Sequence, residues 1–387
     1  MAMKFKKSFV LFLLLAVIFL MLIINKNKNT SAEACVAKDS ASWKQCASRL
    51  NNKLTNSIKV ADMVMCSGIN DCRAVIKVNR PVYIYGELNA GFKRLDTYDY
   101  NILEIVNSKS VTVRNLMFDE GIKQPCTPVT DPNCKSSIKI SGSRDIKIDN
   151  ITTFHAKRMG TEIYNSPNVT ISNSNFINSY LFAIGINGDG KLGSGGVHIE
   201  GNLIKDTQSN GIVIYHVRSS AQYPTIIHDN RLVHNHRLNL YNLCGPSKTE
   251  PCPGGQIIIA INSSNVKIEA NTVIDGKSDT NPTTLATVGI EIDNSNIHYV
   301  NISQNDIHNN MGWAINLNPD PVDVDNILIE KNKLYENGLA PFYDNVDIGN
   351  FPPGKIKAES ENCFSESCPV PFAAKEFAEP SYPLHQK

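Results

Sequence analysis

Two short stretches bring together side chains that move protons and hold anions: Tyr215-His216-Val217-Arg218 and His234-Asn235-His236-Arg237. An unperturbed imidazole titrates near neutral pH, so His216 and His236 can give or take a proton there. Arg218 and Arg237 stay charged and suit bidentate contact with a carboxylate. A phenol, an imidazole and a guanidinium are the groups that elimination beside a carboxylate requires. A cation neutralises the carboxylate, a base removes the proton from the adjacent carbon, and an acid protonates the departing oxygen. Tyr215, His216, Arg218, His236 and Arg237 are therefore the candidate catalytic residues. Arg158, Glu162, Tyr164, His234, Glu291, Asp293 and Asn316 are candidate substrate-binding residues. Taken one at a time, each also reads as a solvated turn position, as polar groups in loops usually are.

These residues need a frame, and the sequence supplies one. Val197-His198-Ile199-Glu200-Gly201-Asn202-Leu203-Ile204 returns as Val266 to Val273, as Val300 to Ile307 and as Ile327 to Leu334. A degraded copy runs from Thr225 to Leu232. Period-two alternation means a strand with one buried face. The Asn in each copy marks a corner, since Asn tolerates the left-handed backbone region. A further short strand recurs as Gly211-Ile212-Val213-Ile214, Gly289-Ile290-Glu291-Ile292 and Ala314-Ile315-Asn316-Leu317. Three short strands per repeat of about 23 to 41 residues fall in the range of solenoids. One repeat cannot bury its own apolar face, so coils must stack. Asn202, Asn230, Asn271, Asn305 and Asn332 would then form a ladder, with Ser174 in the same place one coil earlier.

The frame resembles the right-handed parallel β-helix of the pectate lyase and polygalacturonase superfamily, over roughly residues 60 to 350. The resemblance implies an all-β fold of three parallel sheets. If Ile212 and Ile214 point inward, Val213 and Tyr215 point outward. The same parity turns Glu162 and Tyr164 out in an earlier coil, and Glu291 and Asp293 in a later one. The expected site is a groove along this sheet, between the loop that starts at Tyr215 and the loop that starts at His234.

The family's catalytic signatures are missing. Acidic residues stand at the start of the matching strands in polygalacturonases, in NTDGI and DDCIAI patterns, followed by GHG and RIK. Here the matching stretches read Arg158 to Ile163 and Ser179 to Ile184, with neither Asp of that pair. Inverting hydrolysis requires two carboxylates flanking the bond and a water, so the polygalacturonase reading falls. The DPHD pattern of mannuronan epimerases is absent as well.

Along the chain, Lys4, Lys6 and Lys7 precede an apolar run from Phe9 to Ile24, and Ala32-Glu33-Ala34 follows. That order describes a secretory signal peptide over residues 1–34; the alternative is a membrane anchor made by the same segment. Ten cysteines fall into near neighbours: Cys35 and Cys46, Cys66 and Cys72, Cys126 and Cys134, Cys244 and Cys252, Cys363 and Cys368. An even count in an exported chain reads as disulfides, and local pairing with loops pinned at the surface is the simplest arrangement. Residues 35–59 read as an N-terminal cap with a helix over 40 to 60, through Trp43, Cys46, Leu50 and Leu54. Residues 60–350 are the solenoid and 351–387 a C-terminal cap and tail.

The expected function is that of an exported protein acting on an acidic, uronate-containing polysaccharide, as a lyase or a related hydrolase or epimerase. The alternative is a non-catalytic β-helix that binds glycan or builds a surface structure. Formal net charge is +1, which gives no basic face for nucleic acid. The chain is expected to be a monomer, with no membrane contact after signal cleavage. No cofactor is expected; calcium at Glu291 and Asp293 is the alternative.

Overall fold

The structure is a computed structural model. It describes residues 33–95, 99–121, 134–237, 254–277, 287–293, 296–318, 323–338, 346–347, 356–358, 361–371 and 377. The expected leader, apart from its last two residues, and Cys126, Cys244 and Cys252 lie outside the described residues. Among the described residues no helix is long and apolar enough to cross a membrane.

The alternating apolar positions build three parallel sheets. Sheet A has twelve strands, from Cys35–Ala37 to Ile356–Ala358. Sheet B has ten, from Met63–Cys66 to Lys333–Tyr335, and sheet C has ten, from Ala74–Ile76 to Val346–Asp347. Each coil runs through A, then B, then C, and each strand pairs in parallel with its counterpart one coil away. Val169, Ile171, Ile199, Val266, Ile268, Ile302 and Ile329 point into the coil and are fully buried. This all-β parallel β-helix is the fold the repeat implied.

The corner between sheets A and B carries the expected ladder. Asn202 donates from its backbone and amide nitrogens to Asn230 Oδ1, at 3.0 and 2.9 Å. Asn230, Asn271 and Asn305 repeat this toward Asn271, Asn305 and Asn332. Ser174 starts the ladder by donating its N–H to Asn202 Oδ1, and Asn362 ends it by accepting from Asn332. One expectation is corrected. The ladder asparagines do not occupy the left-handed region; the residue before each does, namely Gly201, Asp229, Ala270, Gln304 and Lys331. The turn is made one position earlier, and the Asn serves as an inward hydrogen-bonding rung.

The N-terminal end is closed by helix α1, Ser40–Asn51. Asp39 caps it by accepting from Ser42 N at 2.7 Å. Trp43, on the buried face of the helix, donates Nε1–H to Cys72 O at 2.8 Å and packs toward Phe92 and Phe118 inside the first coils. The helix is shorter than expected: Lys53 is left-handed at φ 62° and Leu54 is 62% exposed. Residues from Ser57 onward are drawn into sheet A instead. Disulfides join Cys35 to Cys46, Cys66 to Cys72 and Cys363 to Cys368. Cys134 is also disulfide-bonded. Cys46, on the inner face of the helix, and Cys66 and Cys72 are buried rather than pinning exposed loops. Such bridges fit folding in an oxidising compartment.

Candidate functional site

Sheet C carries the candidate residues in two outward columns. Register places Lys139, Glu162, Gly185, Val213, Ile258, Glu291 and Asn316 in the first. Ser141, Tyr164, Asn187, Tyr215, Ala260 and Asp293 form the second. The first column is largely closed over. Glu162, Val213, Glu291 and Asn316 are all buried, and Met159 packs where a Cβ on Gly185 would lie. The second column is open. Tyr164 is 44% and Tyr215 38% exposed, two coils apart on either side of the half-buried Asn187. Two coils correspond to about 10 Å. The accessible strip is thus narrower than the expected groove and lies toward the C-terminal ends of the strands.

Tyr215 and His216 come together at that edge, and Arg218 follows past the corner, in register with Ser264 of sheet A. The Tyr215 and His216 rings meet edge-to-face with centroids 4.2 Å apart. His216 is left-handed at φ 55°, so its backbone makes the corner while its ring stays at the surface of the strip. Asn262, one coil on, places Nδ2 3.0 Å from His216 Nδ1. Arg218 is exposed, and its guanidinium makes no ion pair among the described residues. Its N–H donates to Ser194 Oγ at 3.0 Å, which fixes the backbone beside the strip.

His234, His236 and Arg237 do not join them. The strand Gly254–Ala260 has the His236 ring against its first residue and Tyr215 in register with its last. Six residues of strand separate the two groups by about 20 Å. His234 pairs with Asp206 at 2.8 Å on the outer side of the corner. Arg237 starts the loop, held by an N–H donated to Thr207 O. His236 is fully buried with Nδ1 3.4 Å from Thr287 Oγ1, and burial lowers its pKa to about 4. It is a neutral interior group in the ordinary pH range.

Glu291 is the other buried titratable group on this sheet. Burial and then the neighbouring Asp293 charge push its pKa well above the usual carboxylate range. Among the described residues its Oε2 has no hydrogen-bond partner. Asp293, two residues on, is half-buried at the end of the open column. The pair therefore combines a proton-holding carboxyl with a more accessible one. Among the described residues, no group of three or more His, Cys, Asp or Glu is arranged to hold a metal.

Arg158 and Glu162 belong to a dense ionic network in earlier coils. Arg158 Nη1 lies 3.2 Å from Glu162 Oε2, Ser136 Oγ donates to the same oxygen at 3.1 Å, and Lys139 stands 3.6 Å from Oε1. Beneath it the buried Arg94 pairs with Glu120 at 3.2 Å, and burial raises the Glu120 pKa. Glu162 and Glu291 are four coils apart, about 19 Å.

Sheet B holds a cluster that the sequence reading missed. Asp306 lies in register with Lys333 and His308 with Tyr335. The His308 and Tyr335 rings stack at 4.5 Å, and Lys333 Nζ stands 4.7 Å from the Tyr335 ring centre. Burial raises the Asp306 pKa, lowers that of His308 and pushes Tyr335 up to about 12. The signal was available: Asp-x-His and Lys-x-Tyr follow the ladder Asn in successive copies. Cavities of about 370 and 380 Å³ open at the A–B corner near Asn89 and Asn115, and beside Lys331 and Cys363. Neither is lined by the expected site residues.

Residues 82–246 match the family model of the right-handed β-helix region. The chain is a right-handed parallel β-helix. No curated protein matches its sequence. Among solved structures, the β-helix is similar to an alginate lyase from a Paenibacillus species, at 12% identity over 84% of this chain and 99% of that one, with a TM-score of 0.49. It is similar to the enzymatically active domain of tailspike protein 2 of bacteriophage CBA120, at 13% identity over 84% and 44%, TM-score 0.45. It is also similar to the A-module of a mannuronan C-5 epimerase from Azotobacter vinelandii, at 14% identity over 86% and 97%, TM-score 0.43.

Proposed function

We propose that the protein is exported and cleaves an acidic, uronate-containing polysaccharide by β-elimination on the open strip of sheet C. The observation that carries this reading is the contact of the exposed Tyr215 ring with His216, two residues before the exposed Arg218, which makes no ion pair among the described residues. Arg218 is suited to hold the sugar carboxylate and so acidify the adjacent C–H. Tyr215 or His216 removes that proton, the C–O bond to the leaving sugar breaks, and the electron pair becomes the new ring double bond. The departing oxygen takes a proton from the other member of the pair. Tyr164 and Asn187 extend the strip for further sugars, since an open aromatic face suits the apolar face of a pyranose.

Hydrolysis is the second reading, favoured by Glu291 and Asp293. A carboxyl held protonated by burial beside an accessible carboxylate matches the acid and base of an inverting hydrolase. Incubation with alginate, pectate and glycosaminoglycans separates the readings. Elimination gives ultraviolet-absorbing unsaturated ends, whereas hydrolysis gives reducing ends without that absorbance. Glycan binding without either product would leave the non-catalytic alternative.

A further inference from the structure

Three side chains connect His216 to a carboxylate three coils away, along the corner between sheets C and A. Asn262 Nδ2 lies 3.0 Å from His216 Nδ1, and Asn262 Oδ1 accepts from Asn296 Nδ2. Asn296 Oδ1 lies 2.8 Å from His298 Nε2, and His298 Nδ1 lies 2.8 Å from Asp325 Oδ1. Neither amide makes another side-chain hydrogen bond among the described residues, so only the two histidines set which way the amides face. His216, Asn262 and Asn296 are all left-handed, at φ 55°, 53° and 61°, which keeps each coil's contribution at the same corner.

The donor and acceptor inventory allows two complete arrangements. A carboxylate only accepts, so His298 Nδ1 carries a proton in both. In the first, Asn296 presents its carbonyl to His298 Nε2, which must then also carry a proton. His298 is an imidazolium, Asn262 donates to His216 Nδ1, and a neutral His216 holds its proton on Nε2. In the second, both amides are turned over. His298 is neutral and accepts from Asn296 at Nε2, Asn262 presents its carbonyl, and His216 holds its proton on Nδ1 with the Nε2 lone pair free. The oxygen and nitrogen of an amide are nearly isosteric, so the same backbone serves both. Going from the first to the second, one proton leaves His298 for solvent, and His216 exchanges its Nε2 proton for one on Nδ1 through solvent.

We propose that His298, held by Asp325, sets the tautomer of His216 through the amides of Asn262 and Asn296. It thereby decides whether His216 Nε2 meets the glycan as a donor or as a proton acceptor. The catalytic consequence rests on the lyase reading; the coupling itself does not. His298 is a positioning residue, out of reach of the strip. The charged and titratable groups facing the chain are Asp325 on the strand above His298, Arg218 two coils below it in the same column, and the Tyr215 phenol beside His216.

The test is imidazole nitrogen-15 NMR of the full chain labelled at histidine, across the titration of His298. In the parent protein, the His216 Nδ1 and Nε2 signals should exchange character as His298 loses its proton, giving His216 a two-step titration. His298→Phe should reduce this to one step. Asn262→Gly cuts the chain in the middle at a left-handed position that glycine accepts without strain, and should do the same. A single His216 tautomer throughout in the parent, or identical His216 titrations in all three proteins, would overturn the proposal. If the coupling is present but no acidic glycan is cleaved, the proposal holds and the lyase reading fails. With activity in hand, His298→Phe should displace the pH profile of kcat and leave KM unchanged; an unmoved profile overturns the catalytic part of the proposal.

Discussion

Gln256 fills the place that Gly276 leaves empty in a second amide ladder, at the corner between sheets B and C. Thr207, Asn235, Asn310 and Asn337 are the rungs: the Thr207 N–H donates to Asn235 Oδ1, and Asn310 donates from its backbone and amide nitrogens to Asn337 Oδ1. Gly276 stands where the rung between Asn235 and Asn310 would be, and has no side chain to offer. Gln256 reaches in from the head of a sheet C strand: Asn235 Nδ2 donates to its Oε1 at 2.9 Å, and its Nε2 donates to Asn310 Oδ1 at 2.7 Å and Ile274 O at 2.8 Å. The matching strand heads in other coils are Gly211, Gly289 and Ala314, with no side chain long enough to intrude.

Gln256→Ala should therefore be costly, although it removes no apolar surface. It leaves Asn235, Asn310 and the Ile274 carbonyl short of a partner inside the coil, at about 1–3 kcal/mol for each group left unsatisfied. A loss of about 3 kcal/mol in denaturant unfolding is expected. Asn271→Leu in the first ladder should lose about 1–3 kcal/mol by the same reasoning. Parental stability in either variant would mean that water replaces the rung.

Ala270 holds φ 57° at the turn position that Gly201 fills in an earlier coil. An L-residue with a Cβ is strained there, and glycine is not. Ala270→Gly should stabilise the protein by about 1 kcal/mol, read as an upward shift of the unfolding midpoint. A destabilised variant would show that the Ala270 methyl packs usefully enough to outweigh its backbone strain.

Periodicity made the fold legible, because a side-chain period of two and a repeated Asn constrain a solenoid strongly. The first ladder could be written from the sequence, for its rungs share one position in the copies. The second could not, since Gln256 acts from a different place in the repeat than Asn235 or Asn310. The site was legible only in part. Parity correctly turned Tyr215 and Glu291 outward from the coil, but outward is not the same as exposed, and Glu291 is buried. Placing the two loops on adjacent coils of one sheet also grouped His216 with His236, which a whole strand length separates. Burial and distance depend on what other coils contribute, and alternation within one coil does not report it.

His236 and Glu291 should give stability opposite pH limbs. His236 has a folded pKa of about 4 against an ordinary value of 6.5. Between those values the unfolded chain binds a proton that the folded chain does not, so stability falls as pH drops through that window. The slope is about 1.4 kcal/mol per pH unit, or about 3 kcal/mol in all. Glu291 is shifted upward, so the folded chain keeps a proton that the unfolded chain has released above 4.5. Its contribution falls as pH rises from there toward the folded pKa. His236→Asn should flatten the acid limb and Glu291→Gln the alkaline one, in unfolding curves taken across pH. Unchanged limbs would show that neither group is held as buried as its surroundings suggest.

Arg218 offers the sharpest test of the site because its side chain makes no hydrogen bond or ion pair among the described residues. It is exposed and unpaired among the described residues, so Arg218→Ala should leave the unfolding midpoint within about 0.5 kcal/mol of the parent. If the guanidinium neutralises a sugar carboxylate during elimination, turnover on an acidic polymer should fall by about two orders of magnitude, as loss of a transition-state charge stabiliser does. Arg218→Lys keeps the charge but not the planar fork, and should recover only part of that loss. Under a binding-only role, Arg218→Ala would instead weaken affinity modestly, with a clear dependence on ionic strength. Tyr215→Phe distinguishes the two further, because it preserves the stacking face while removing the phenolic proton. A lyase should lose most of its turnover with little change in KM, and a binder should keep its affinity. Full activity in both Arg218→Ala and Tyr215→Phe would exclude this end of sheet C as the catalytic site.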